Sequence, residues 1–228
     1  MCIRDRLKTR LATIGQTATV LTHEMRNPLA SIKLALSGLK GSSSLEGREH
    51  RRVDLVLGEV DRLDGLLSET LDYVRPVKIS TDPVDLDGLL TKVIKQQKPL
   101  IDEKGIRLKH ECFTDHKATR VDKEQIHQVL LNLIKNAIEA SPQGGGIGTS
   151  IRREGGQLVV EITNEGELLN EEVLQNAFEP FFTTKPKGTG LGLGLVKRVV
   201  EEHGGTVILT SSVENATRLT LTFPFNPS

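Results

Sequence analysis

The 228-residue chain has few aromatic residues, with Phe, Trp and Tyr together making up 3% of it. It also lacks a charge excess, because 30 Lys and Arg balance 30 Asp and Glu. Without a basic surplus, and with so few rings to stack on bases, the composition argues against nucleic-acid binding and against attraction to an anionic membrane. Long apolar runs are missing too. None approaches the roughly 20 residues of a membrane-spanning helix, so no membrane insertion by this segment is expected. The amino end, MCIRDRLKTR, is charged and is not expected to be a secretory signal. The two cysteines, Cys2 and Cys112, lie far apart in sequence and form neither a disulfide framework nor a zinc pattern. These absences predict a soluble protein of a reducing compartment, the cytoplasm.

What is present begins with periodicity. Leu7, Leu11, Ile14, Ala18, Leu21, Met25, Leu29, Ile32, Leu36 and Leu39 recur at spacings of three and four, the mark of one buried stripe on a long amphipathic helix. His23 lies two residues from both Leu21 and Met25, so it points away from that stripe. Pro28 follows, unable to donate to the carbonyl of Glu24 and crowding it, at a cost of roughly 3 kcal/mol in a helix interior. After the flexible GSSSLEG, a second stripe runs through Val53, Val56, Val60, Leu63, Leu67, Leu71 and Val74 and stops at Pro76. Two helices joined by a short loop form an antiparallel hairpin. One hairpin cannot enclose a generous core, so pairing with a second copy into a four-helix bundle, a homodimer, is expected.

From about residue 83 strands and helices mix. DLDGLLTKVIKQQKPLI predicts a helix, IRLKHECF a strand, and DKEQIHQVLLNLIKNAIEAS a longer helix capped by Asp122. IGTSIRRE and QLVVEITN read as strands joined by a Gly155-Gly156 hairpin turn. LGLGLVKRVVEEH is a further helix, and TVILTSS and TRLTLTFPF close the chain as strands. The fold class is α+β, a helical hairpin followed by a mixed sheet covered on one face by helices. The linker VRPVKISTDP divides residues 1–78 from residues 79–228.

Four features of the second half can carry chemistry. Asn132 and Asn136, one turn apart, share a polar stripe with Gln125, Gln128 and Glu139, opposite Ile126, Leu130, Leu133 and Ala137. Their amide oxygens suit Mg²⁺ beside substrate phosphates, or the stripe is simply a solvated helix face. KGTGLGLGL carries Gly188, Gly190, Gly192 and Gly194 into a helix start. It is either a flexible loop or a phosphate cradle, and it matches neither the dinucleotide-binding nor the P-loop spacing. FEPFFTTK, residues 178–185, gathers three Phe, read as a satellite cluster that anchors a mobile segment bearing Lys185 and Lys187. TNEGELL, residues 163–169, is a turn after a buried strand, where ligand-facing groups often sit.

In this order the motifs resemble those of the sensor histidine kinases of two-component signalling, over nearly the whole chain. THEMRNPLASI resembles the family's phosphoacceptor motif and NLIKNAIEAS its Asn motif. FEPFFTTKPKGTGLGLGLVKRVVEEHGG resembles its Phe and Gly motifs, and GEVDRLDGLLSETLDYVRP the second helix of the nitrogen-regulation group. The resemblance implies a dimerisation and phosphotransfer hairpin, then an α/β-sandwich ATP-binding domain of the kind shared with gyrase. It implies that His23 takes the γ-phosphoryl group of ATP and passes it to an aspartate of a response-regulator receiver domain. Glu24 would orient the ring and accept its proton, and Asn27 would position water for the reverse, phosphatase reaction. Asn132 and Asn136 would hold Mg²⁺. Lys135, Asn164, Gly166, Thr184, Lys185, Gly188, Thr189, Gly190, Leu191, Gly192 and Leu193 would line the nucleotide. The family usually has an Asp followed by Gly-x-Gly for adenine, and the corresponding positions here are Asn164, Gly166 and Leu168. Near the end, Ala216 and Leu219 stand where Gly and Phe are common. A docking dimer that binds a receiver without using ATP, and an ATPase of the gyrase kind, are the competing readings.

Overall fold

The computed structural model describes residues 29–30, 32–34, 36–37, 47–74, 79–115, 118–185, 188–213 and 217–226. His23, Glu24, Asn27 and Pro28 lie outside the described residues, as do Lys187 and Ala216. The chain divides into two compact units, Met1–Pro76 and Val77–Ser228.

In the first unit, the described residues between 29 and 37 are helical, and a second helix, α1, covers Gly47–Val74. Lys33 pairs with Asp61 at 2.5 Å, which ties the two helical segments side by side. The Asp61 hydrogen bond and charge raise the Lys33 pKa above its ordinary value. Along α1, Val53 and Val60 are buried at heptad spacing, and Leu67 is half-buried in the same row. Val56 and Leu63, interleaved at the other heptad position, are 46% and 39% exposed. One apolar row of the expected stripe is therefore covered within the unit, and the next row is open.

The second unit is a two-layer sandwich. Its main sheet has the order β2(Arg107–Cys112), β4(Gly146–Glu154), β5(Gln157–Asn164), β7(Thr217–Pro224), β6(Thr206–Thr210). β2 runs parallel to β4, and every other neighbouring pair is antiparallel. Alternation sorts the side chains, since Ile147, Thr149 and Ile151 of β4 and Leu158, Val160 and Ile162 of β5 are buried, as are Leu219, Leu221 and Phe223 of β7. They meet the apolar faces of α2(Leu86–Gln96), α4(Lys123–Ala140) and α6(Gly192–Glu202), where Leu90, Val93, Ile126, Leu133, Val196 and Val200 are fully buried. The opposite sheet face carries Gly148, Ser150, Thr163, Thr220 and Thr222, none of them fully buried. This is the mixed sheet with helices on one side that the sequence predicts. The β4–β5 turn falls at Gly155 and Gly156, whose φ values of 55° and 80° suit the paired positive-φ positions of a tight hairpin.

Three elements differ from expectation. The single helix expected over residues 85–101 is two, α2 and α3(Lys98–Glu103), because Pro99 cannot donate to the carbonyl of Lys95 and the chain re-starts at Gln97. β1(Asp82–Asp85) and β3(Ala118–Val121) form a small antiparallel sheet of their own. α5(Glu171–Asn176), capped by the Asn170 side chain on the Val173 N–H, fills the loop after β5.

Asp122 is the expected cap of α4. Its Oδ1 accepts from the N–H groups of Glu124 and Gln125 at 3.1 Å, and its Oδ2 accepts from Ser80 at 3.0 Å. Burial works against the carboxylate, but the N–H groups of Ser80, Gln125 and Glu124 outweigh it and hold the Asp122 pKa below its ordinary value. The Asp122 N–H in turn donates to His203 Nε2 at 2.9 Å. His203 Nδ1 donates to the Val199 carbonyl at 2.7 Å, so the ring carries its proton on Nδ1. One residue thus joins the domain entrance, the start of α4 and the end of α6.

Candidate active site

The site is laid out along the polar face of α4. Asn132 and Asn136 are half-buried there, while Ile126, Leu130, Leu133 and Ala137 on the opposite face are buried in the core. Glu139 is exposed one turn further on, and Lys135 is exposed beside the stripe. Toward the carboxyl end of α4, the turn after β5 packs closely. A Cβ at Gly166 would come 2.7 Å from the Ala140 carbonyl oxygen, so no larger residue fits. Asn164, 6% exposed at the end of β5, donates through Nδ2 to the Glu165 carbonyl at 3.0 Å. Leu168 is 59% exposed.

At the Asn132 end stands the glycine turn. Gly190 has φ 69°, and a Cβ there would lie 2.4 Å from the Phe181 carbonyl carbon and 2.6 Å from the Phe182 oxygen. The Phe181 N–H donates to the Gly190 carbonyl at 3.0 Å, stitching the Phe motif to the Gly motif. Thr189 Oγ1 accepts from the Leu191 N–H at 3.2 Å. The Leu191 side chain is only 2% exposed and belongs to the core, while Leu193 is half-buried. α6 begins at Gly192 with no side-chain cap on its first N–H groups, and a Cβ at Gly192 would come 4.0 Å from Asn132 Nδ2. At roughly 1.5 Å per residue, Asn132 to Ala140 spans about 12 Å. The glycine turn and the Asn164–Gly166 turn bracket that span.

Across its middle lies Lys185. Its Nζ donates to Asn136 Oδ1 at 3.0 Å and forms an ion pair with Glu139 Oε2. The backbone around it is a closed turn, since Thr183 Oγ1 accepts from the Lys185 N–H at 3.1 Å and Gly188 N–H donates to the Lys185 carbonyl at 3.1 Å. A Cβ on Gly188 would strike Thr183 Oγ1 at 2.4 Å. Thr184 is exposed. The three Phe do not form one cluster. Phe178 and Phe182 are half-buried, with the Lys197 ammonium 5.9 Å from the Phe178 ring. Phe181, at φ 68° and 69% exposed, is turned outward by the left-handed backbone that meets Gly190.

Three site residues carry no motif signal for these roles. Lys104 donates to the carbonyls of Ile138 at 2.7 Å and Glu139 at 3.0 Å, capping the end of α4 from a distant turn. Thr183 and Glu139 shape the position of Lys185. A separate cleft of about 320 Å³ at the β2–β4–β5 edge shares only Asn164 with this set. Its cations Arg107 and Lys109 pair with Glu165 and Glu111.

The family described as "Histidine kinase-, DNA gyrase B-, and HSP90-like ATPase" matches residues 121–227, and the "His Kinase A (phospho-acceptor) domain" matches residues 13–77. The catalytic domain of the histidine kinase ThkA is 30% identical, with a TM-score of 0.61, over 65% of this chain and 97% of that one. The chain belongs to the histidine kinases. The sensor histidine kinase ZraS of Escherichia coli O157:H7 is 33% identical over 96% of this chain and 48% of its own length. ThkA in complex with the response regulator protein TrrA aligns with a TM-score of 0.71 and 25% identity, over 96% of this chain and 64% of that one. This chain spans about half the length of the curated relative.

In this histidine kinase the donor set fits the nucleotide and metal that the family implies. The Asn136 oxygen already holds a cation, the Lys185 ammonium. Gly190 leaves no room for a Cβ because the Phe181 and Phe182 backbone packs against it, and α6 starts with no side-chain cap on its N–H groups, which suits an anion there. No described helix is long and apolar enough to cross a membrane.

Proposed function

We propose that the chain is the catalytic core of a cytoplasmic protein-histidine kinase that phosphorylates itself on His23 from ATP and transfers the group to an aspartate of a response-regulator receiver domain. The observation that carries this reading is the convergence of Asn136, Lys185 and the Gly190–Gly192 turn on one face of α4, in a chain whose phosphoacceptor match spans His23. ThkA is solved with the response regulator TrrA, which supports a receiver domain as the partner.

The chemistry follows from the residues. The Asn164 carboxamide oxygen accepts from the adenine amino group, and the α6 N–H groups and Lys185 hold the phosphates. Asn132 and Asn136 would hold Mg²⁺, which would offset the charge of the phosphates. A neutral imidazole, with an ordinary pKa of about 6.5, is nucleophilic at cellular pH. The His23 ring nitrogen bonds to the γ-phosphorus as the bond to the ADP oxygen breaks, and Glu24 accepts the ring proton.

The test is incubation with γ-labelled ATP and Mg²⁺. Acid-labile, alkali-stable label that is missing from His23→Gln supports the reading, and acid-stable label refutes it. Asn27 follows His23 by four residues, the spacing of one helical turn, which would suit it to orient a water there. Asn27→Ala should therefore keep autophosphorylation while slowing dephosphorylation of the regulator, and equal loss of both would argue for damage to the helix instead.

A further inference from the structure

Lys185 sits on one of the two oxygens that the kinase reading assigns to Mg²⁺. Its Nζ lies 3.0 Å from Asn136 Oδ1, and Glu139 supplies the countercharge one turn along α4. The lysine is placed there by structure, because the Thr183 Oγ1 and Gly188 N–H bonds close the turn that carries it. Gly188 is needed for that closure, since any Cβ would strike Thr183. Mg²⁺ binds oxygens at about 2.0–2.1 Å. An ammonium and Mg²⁺ on the same amide oxygen would be like charges in near contact, so one excludes the other.

We propose that Lys185 is a tethered placeholder cation on Asn136 and that Glu139 is its latch. Loading of Mg²⁺ and ATP ejects the ammonium from Asn136, and the triphosphate then takes over from Glu139 as its anionic partner. Glu139 is thus a positioning residue that sets how readily the site loads, acting through Lys185 and not through the metal. The Lys185 and Glu139 side chains are 40% and 58% exposed, so salt screens the latch and its strength is modest. The inference rests on the kinase reading for the identity of the incoming ligand.

The experiment is a double-mutant cycle. Calorimetry of Mg²⁺ with a non-hydrolysable ATP analogue is run on the unmodified chain, Glu139→Gln, Lys185→Met and the double variant. Glu139→Gln should tighten binding by roughly two- to fivefold, the worth of an exposed ion pair. In the Lys185→Met background the same change should do nothing. Weaker binding in both backgrounds would make Glu139 a metal ligand and overturn the proposal, as would no effect in either. A second readout uses the nucleotide-free protein alone, with limited lysine acetylation read by mass spectrometry. Lys185 should label faster in Glu139→Gln, relative to the exposed Lys123. Equal labelling refutes the latch. If no analogue binds to the unmodified chain, the kinase reading fails while the labelling contrast still decides the latch.

Discussion

Asn164 shows how one atom's partner alters an expectation. Judged by adenine alone, Asn164→Asp replaces a neutral acceptor by a charged one, worth about tenfold in ATP affinity. The carboxamide also donates to the Glu165 carbonyl, and a carboxylate would turn an acceptor toward that oxygen. Asn164→Asp should therefore tighten ATP binding by less than about tenfold and lower the unfolding free energy by about 1 kcal/mol. Calorimetry and urea denaturation read the two effects, and a variant as stable as the parent would refute the role of the donation. The glycines divide just as sharply. Gly190→Ala must hold a Cβ at φ 69° against Phe181, costing at least about 1–2 kcal/mol and abolishing ATP binding. Gly192→Ala meets only Asn132 Nδ2 at 4.0 Å at a helix start, so stability should be unchanged or up to about 1 kcal/mol higher. Equal losses in urea would refute this distinction.

At the scale of elements, α4 depends on Asp122. Asp122→Ala removes a cap that serves Glu124 and Gln125 and also releases Ser80, costing about 0.5–2 kcal/mol at neutral pH. The folded-state pKa of Asp122 lies below the unfolded value of about 3.9. Its electrostatic contribution is therefore fully present above that unfolded value and fades as pH falls through the lower folded value. The stability gap between the parent and Asp122→Ala should narrow below about pH 4. Urea titrations at neutral and acid pH check this, and a gap independent of pH would mean that the carboxylate charge plays no part.

For the whole molecule, the open row on α1 bears on the expected homodimer. Val56 and Leu63 are 46% and 39% exposed at heptad positions, next to the buried Val53 and Val60. A second copy would cover that row, giving the four-helix bundle proposed for the family hairpin. Replacing both Val56 and Leu63 by Glu should reduce the particle from a dimer to the 25.0 kDa chain. Light scattering reads the mass, and a monomeric parent would reject the bundle.

Local patterns carried much of this protein. The Asp122 cap, the Gly155-Gly156 turn and the division of α4 into an apolar face and an Asn face depend on residues a few positions apart. Backbone geometry and side-chain period therefore make them readable along the chain. The short β1 and β3 were not readable, because four-residue strands show little period and pair only when the chain brings Asp82 to Val121. FEPFFTTK is legible as a motif, but its packing is not: Phe181 is exposed and apart from Phe178 and Phe182, since its outward turn follows from the Gly190 backbone packed against it. The motifs also named Asn136 and Lys185 without revealing that they touch across 49 positions, or that Lys104 caps α4 from 34 positions away. Such contacts depend on which surfaces the packed sheet and helices bring within hydrogen-bonding reach, a condition met only once the core around Leu133, Ile162 and Val196 has formed.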